Sequence, residues 1–91
     1  MSVTLRLPTV LAKAAGGQTV HQAKGATVGD VVAEVSTKYP ELGTRLRDAK
    51  GEPYPYVIFY LDDEDIRFQK GFRTPVPDGA EIVVVPAIAG G

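Results

Sequence analysis

TVGDVVAEVSTKYP, residues 27–40, is the stretch that decides the fold. Val28, Val31, Val32, Val35 and Tyr39 recur at helical spacing and line one face. Thr27 stands where its hydroxyl can accept a bond from an unpaired amide of the first turn, and Asp30 adds negative charge at the positive end of the helix dipole. Valine is a weak helix former, so this helix depends on tertiary packing. Pro40 is expected to end it, because proline disfavours helical geometry at the residue before it. A single helix with an apolar stripe needs a sheet to cover that stripe, and the flanking sequence supplies the strands.

Toward the N-terminus, SVTLRLP (2–8) alternates Val3, Leu5 and Leu7 with Thr4 and Arg6, the period-two pattern of a half-buried strand. Gly16-Gly17 marks a turn, and QTVHQA (18–23) reads as a second strand antiparallel to the first. On the other side, Leu42 and Leu46 are spaced for a short helical turn, and DAKGEPYP (48–55) is turn-rich. YVIFYL (56–61) is the most concentrated apolar run, as expected of a strand covered on at least one face. The acidic DDED (62–65) reads as the closing turn of a hairpin rather than a cation site, IRF (66–68) as a brief strand, and PDG (77–79) as a turn. AEIVVVP (80–86) is the final strand, ended by Pro86. Strand, strand, helix, strand, short strand, strand is an α+β order. With the first and last strands parallel at the centre of a mixed sheet and one main helix across one face, it makes a β-grasp, the ubiquitin-like architecture. Residues 1–86 form that domain, and residues 87–91 are a flexible C-terminal tail ending in Gly-Gly.

Ninety-one residues suffice for one domain. Ten Lys and Arg against eleven Asp and Glu leave a net charge of −1, far from the basic balance that a phosphate backbone requires, so no nucleic-acid partner is expected. The chain has no cysteine, which removes disulfides, thiolate metal sites and a cysteine nucleophile together. The N-terminal MSVTLRLP lacks the basic and apolar regions of a signal peptide, and no apolar stretch is long enough for a membrane span; a cytoplasmic protein is expected. The single histidine, His21, lies in a short edge-like strand, where a structural role outweighs a general base. No phosphate-cradling glycine motif follows a strand, so no bound nucleotide, cofactor or metal is expected.

Chemistry therefore concentrates at the end of the chain, PAIAGG (86–91). At an average glycine usage of about 7 %, two glycines at a given pair of positions arise by chance in roughly one chain in two hundred. An α-carboxylate, with a pKa of about 3.5, is ionised and a poor electrophile, so it must be activated before anything is attached to it. Attack on the α-phosphate of ATP gives a mixed anhydride that sulfide, a persulfide or an amine can open. Gly90 and Gly91, without side chains, can thread a narrow channel with Ala89, and five residues extend about 16–18 Å. Phe59, Leu61, Phe68, Phe72 and Ile88 exceed what one helix-covered face needs; some of them are expected to form an exposed apolar docking patch near the tail.

VPAIAGG after a strand and a PDG turn resembles the C-terminus of the ubiquitin-like sulfur carriers, the MoaD, ThiS and CysO group, and the resemblance runs through nearly the whole chain. VTLRLPTVL (3–11), GGQ (16–18), TVGDVV (27–32), YLDDEDIRF (60–68) and the extra segment around residues 43–55 look most like the CysO branch. The resemblance implies a protein co-substrate without catalytic residues of its own. Its Gly91 carboxylate is adenylated by an E1-like enzyme of the MoeB/ThiF type, which uses the ATP, and becomes a thiocarboxylate. A sulfur-accepting synthase then takes the sulfur; the CysO likeness implies cysteine biosynthesis and a metalloprotease that trims the adduct, and the MoaD and ThiS likeness implies molybdopterin or thiamine. Two alternatives stay open on the sequence: a ubiquitin-like modifier conjugated to lysines, and a non-covalent β-grasp interaction module.

Overall fold

A computed structural model describes residues 2–86; Met1 and residues 87–91 lie outside the described residues. The five strands are β1 (Val3–Arg6), β2 (Val20–Ala23), β3 (Val57–Leu61), β4 (Glu64–Asp65) and β5 (Glu81–Pro86), and the helices are α1 (Thr9–Ala12), α2 (Val28–Lys38) and α3 (Pro40–Leu46). The strands form one mixed sheet in the order β2-β1-β5-β3-β4. β1 and β5 run parallel at its centre, with Leu5 opposite Ile82, and the remaining neighbours are antiparallel. This is the β-grasp arrangement.

The helix α2 forms where its valine stripe places it, with Val28, Val31, Val32 and Val35 all buried. The Thr27 hydroxyl accepts from the Asp30 amide at 3.1 Å, satisfying one of the four first-turn donors that a helix leaves unpaired. The stripe packs on Val3 and Leu5 of β1, Ile82 and Val84 of β5, and Phe59 and Leu61 of β3 in one buried cluster. Pro40 ends α2 as its geometry requires, and it also begins α3 at the first helical position, where its missing N–H costs nothing. Leu42 and Leu46 of α3 are fully buried. The two helices pack closely because Gly43 faces Ser36: a Cβ at Gly43 would fall 2.7 Å from the Ser36 Cβ.

Two local features depart from the sequence reading, and the acidic hairpin turn between them agrees with it. IRF is a 3₁₀ turn, Ile66–Phe68, rather than a strand; the short strand is Glu64–Asp65, because β3 turns back immediately after Leu61. The turn itself is Asp62-Asp63, both with positive φ (48° and 71°), the conformation of a tight two-residue hairpin. The β1–β2 connection is not a simple loop: it carries α1 and a 3₁₀ turn (Lys13–Ala15) that bury Leu11, Ala12 and Ala15 before Gly16, at φ 70°, reverses the chain.

Candidate functional site

The tail is rooted on the central strand. β5 is held by β1 on one side and β3 on the other, and Pro86, its last residue, lies opposite Val57 at the start of β3. The described chain therefore ends on the middle strand of the sheet rather than on an edge strand. Gly91, Gly90, Ala89 and Ile88, to which the sequence reading assigns activation, threading and docking, lie outside the described residues.

The docking patch expected from the sequence is corrected by the register. Phe59 is 1 % exposed and Leu61 is also buried, because alternate residues of β3 point to opposite faces and these two point toward α2. Phe72 is half-buried, packed edge-on against Phe59 at 5.3 Å between ring centroids. Phe68 alone of the described four is strongly exposed, at 85 %, with the Arg67 guanidinium 5.8 Å from its ring centroid.

The opposite parity builds the surface beside the tail root. Tyr60 lies opposite Val83 and Ile58 opposite Val85 on the face turned away from α2, and Val83 lies beside Arg6, which in turn faces Val20. None of Ile58, Tyr60, Val83 and Val85 belongs to the buried cluster, so they form a half-exposed apolar stripe on the open face. Polar pairs border it: Arg6 is ion-paired with Glu81, and the Gln22 side chain donates to the Thr4 hydroxyl at 3.1 Å. Sequence reasoning missed this stripe because both parities of VIFYL and IVVV are apolar. The available signal was Glu81, whose charge belongs on the solvent side and so fixes Val83 and Val85 on the same face as itself.

The titratable groups are structural. His21 is buried on β2, its Nε2–H donates to the Gln18 carbonyl at 2.7 Å, and its ring meets Tyr39 edge-on at 5.4 Å. Asp65 accepts from the Arg67 guanidinium at 2.6, 3.0 and 3.1 Å, and these bonds hold its carboxyl below the usual carboxylate range. Asp62, in the acidic turn, accepts from the Glu81 amide at 3.0 Å, which ties the hairpin to β5. Among the described residues no group of three or more His, Cys, Asp or Glu side chains is placed to hold a metal ion, and no helix is long and apolar enough to cross a membrane. What the described residues offer is a folded sheet with a half-exposed apolar face that reaches Val85, next to Pro86.

Comparison with known proteins gives that arrangement a setting. The ThiS family matches residues 5–91. The sulfur carrier protein CysO of Mycobacterium tuberculosis is 38 % identical over 93 residues, with both chains covered completely. A chain in the crystal structure of the Amycolatopsis orientalis BexX/CysO complex superposes with a TM-score of 0.90 at 35 % identity, over 98 % of this chain and 99 % of that one. Small archaeal modifier protein 3 of Haloferax volcanii is 35 % identical over 66 residues, 72 % of this chain and 71 % of the modifier.

Proposed function

Because the chain belongs to the ThiS family and is a sulfur carrier rather than a catalyst, we propose that its working group is the Gly91 carboxylate, cycled between acid and thiocarboxylate by partner enzymes. The family match carries this reading, since it runs through the Gly90-Gly91 pair to residue 91. In the activation step a carboxylate oxygen attacks the α-phosphorus of ATP on an E1-like enzyme and pyrophosphate leaves. A sulfide nucleophile then adds to the acyl carbon, AMP leaves, and the thiocarboxylate remains. The chain contributes no catalytic side chain to either step; it supplies a carboxylate on a tether of about 16–18 Å and a surface that seats the partner.

The open-face stripe of Ile58, Tyr60, Val83 and Val85 is the docking surface in this proposal, with Phe68 as a separate exposed contact. A half-exposed apolar stripe ringed by polar residues suits recognition by a nearly neutral protein, because burial rather than charge then supplies the affinity. The full-length likeness to CysO favours delivery of the sulfur to cysteine synthesis over other acceptors. The likeness to an archaeal modifier supports a second reading, transfer of the same activated glycine to lysine amines.

Intact-mass measurement after incubation with ATP, an E1-like activating enzyme and sulfide tests the proposal. Replacement of one oxygen by sulfur at the chain end is expected, and an unchanged mass with enzymes that act on other carriers of this family overturns it. A ladder of lysine conjugates in place of free thiocarboxylate in cell extracts decides for the modifier reading.

A further inference from the structure

The segment between α3 and β3 is more ordered than a connection needs to be. Asp48 Oδ1 accepts from the Lys50 and Glu52 amides at 2.9 and 3.0 Å, and the Asp48 amide donates to the Glu52 carbonyl at 2.8 Å, so one side chain organises the turn. Arg47 and Pro53 form a bridge, the Tyr54 amide donates to the Leu46 carbonyl at 3.0 Å, and the Val57 amide donates to the Tyr54 carbonyl at 3.2 Å. These bonds pin two tyrosines beside the root of the tail. Tyr54 and Tyr56 meet edge-on, 5.3 Å between centroids, and Tyr56 is 54 % exposed although it directly precedes a core strand. Next to Tyr54 runs a groove of about 330 Å³ lined by Pro53, Tyr54, Pro55, Val57, Phe59, Ile66 and Arg67.

The length of the tail says what must cover this lip. Val57 lies opposite Pro86, so Tyr56 stands within about 10 Å of the tail root at ordinary Cα and cross-strand spacings. An enzyme acting on the Gly91 carboxylate has its reacting atoms no more than about 18 Å from Pro86. A standard interface buries about 800 Å² of each partner, a disc roughly 16 Å in radius. A patch of that size centred on the tail root takes in the lip.

We propose that the Tyr54–Tyr56 lip, with the groove next to Tyr54, is a docking and specificity surface for the adenylating enzyme, separate from the open-face stripe. This rests on the thiocarboxylate reading of Gly91. Adenylation is the step followed because it is the first that the unmodified carrier undergoes, so its KM reads docking of the carrier before any sulfur is attached. A lip already fixed by backbone hydrogen bonds sets the tether's origin without further ordering, and tyrosine supplies large contact area at small entropic cost. The lip acts on binding and leaves the chemistry of the bound complex unchanged.

The test uses the full 91-residue chain and an E1-like enzyme, with pyrophosphate release followed against carrier concentration. Tyr56→Ala and Tyr56→Arg are expected to raise KM roughly tenfold or more, the scale on which truncating a central interface tyrosine acts. Their kcat is expected to stay within about twofold of wild type. Tyr56→Phe is expected to keep the wild-type KM, because it is the area of the ring that is read. Asp63→Asn, in the exposed β3–β4 turn that Asp62 ties to Glu81 at the opposite end of β5 from Pro86, leaves both constants unchanged. Because Tyr56 is exposed, its variants keep their fold, and their melting temperatures check this. Unchanged KM in both Tyr56 variants overturns the proposal, and so does a loss confined to sulfur delivery, which assigns the lip to the acceptor. Absence of pyrophosphate release with the wild-type chain removes the thiocarboxylate reading itself, an outcome distinct from wild-type activity with unaffected variants.

Discussion

The two faces of the sheet are cut from the same strands and nearly the same residue types, yet they do different work. On one face Phe59, Leu61, Ile82 and Val84 meet the valines of α2 and are buried. On the other, Ile58, Tyr60, Val83 and Val85 stand one residue away along the same strands and remain partly open. The difference lies in the second layer alone: a helix covers one face, and no helix among the described residues covers the other. Apolar side chains in a small domain therefore divide into those that hold the fold and those left for a partner, and composition does not say which is which.

The sharpest break of this comparison is Val32→Asp. Val32 is fully buried between α2 and the sheet, and a carboxylate there has no partner to offset its desolvation. The variant is expected to be unfolded at room temperature by circular dichroism, and a soluble, cooperatively melting protein would contradict the helix-on-sheet packing. Next in size, Phe59→Ala is expected to cost about 3–5 kcal/mol in urea denaturation, the range for removing a buried aromatic ring.

Val83→Asp carries a charge onto the open face and is expected to cost about 1 kcal/mol or less, the span of strand propensities in a host sheet. In the same preparation thiocarboxylate formation should fall severely. A large stability loss with intact activity would reverse the roles assigned to the two faces. A smaller effect concerns the edge. Arg67 holds the Asp65 carboxyl below its ordinary value of 3.8. A depressed carboxylate contributes stability that is present above the unfolded value and lost as pH falls through the folded one. Thermal melts of wild type are thus expected to decline more steeply than those of Arg67→Gln as pH drops below 3.8, with the gap closing at high salt because Arg67 is exposed.

Smallest of all, on stability, is Gly90→Val. A change in the tail should shift folding by no more than a few tenths of a kcal/mol, as exposed substitutions do. It should nonetheless abolish thiocarboxylate formation by placing a β-branched side chain where a channel admits backbone only. Melting temperature and intact mass on one sample read both effects, and a thiocarboxylated Gly90→Val chain would remove the threading argument.

What the sequence by itself determined were the features set by neighbours along the chain. The valine spacing from 28 to 35 and the hydroxyl of Thr27 define α2, because helical contacts recur every three to four residues. Alternation in residues 3–7 defines β1, and the terminal glycines and the whole-chain likeness to the sulfur carriers are written in residue identities. Tertiary structure alone decided which parity of β3 faces α2, whereas β5 carries one mark of its parity in the charge of Glu81. A strand apolar on both sides is indifferent to a half-turn, and the pairing of Leu5 with Ile82 and of Phe59 with Val84 breaks that symmetry. It also decided that Ile66–Phe68 coils into a 3₁₀ turn and that Tyr54 and Tyr56 gather at the tail root. The positions of those residues follow from hydrogen bonds to Asp65, Leu46 and Val57, and only the fold brings the partners into register.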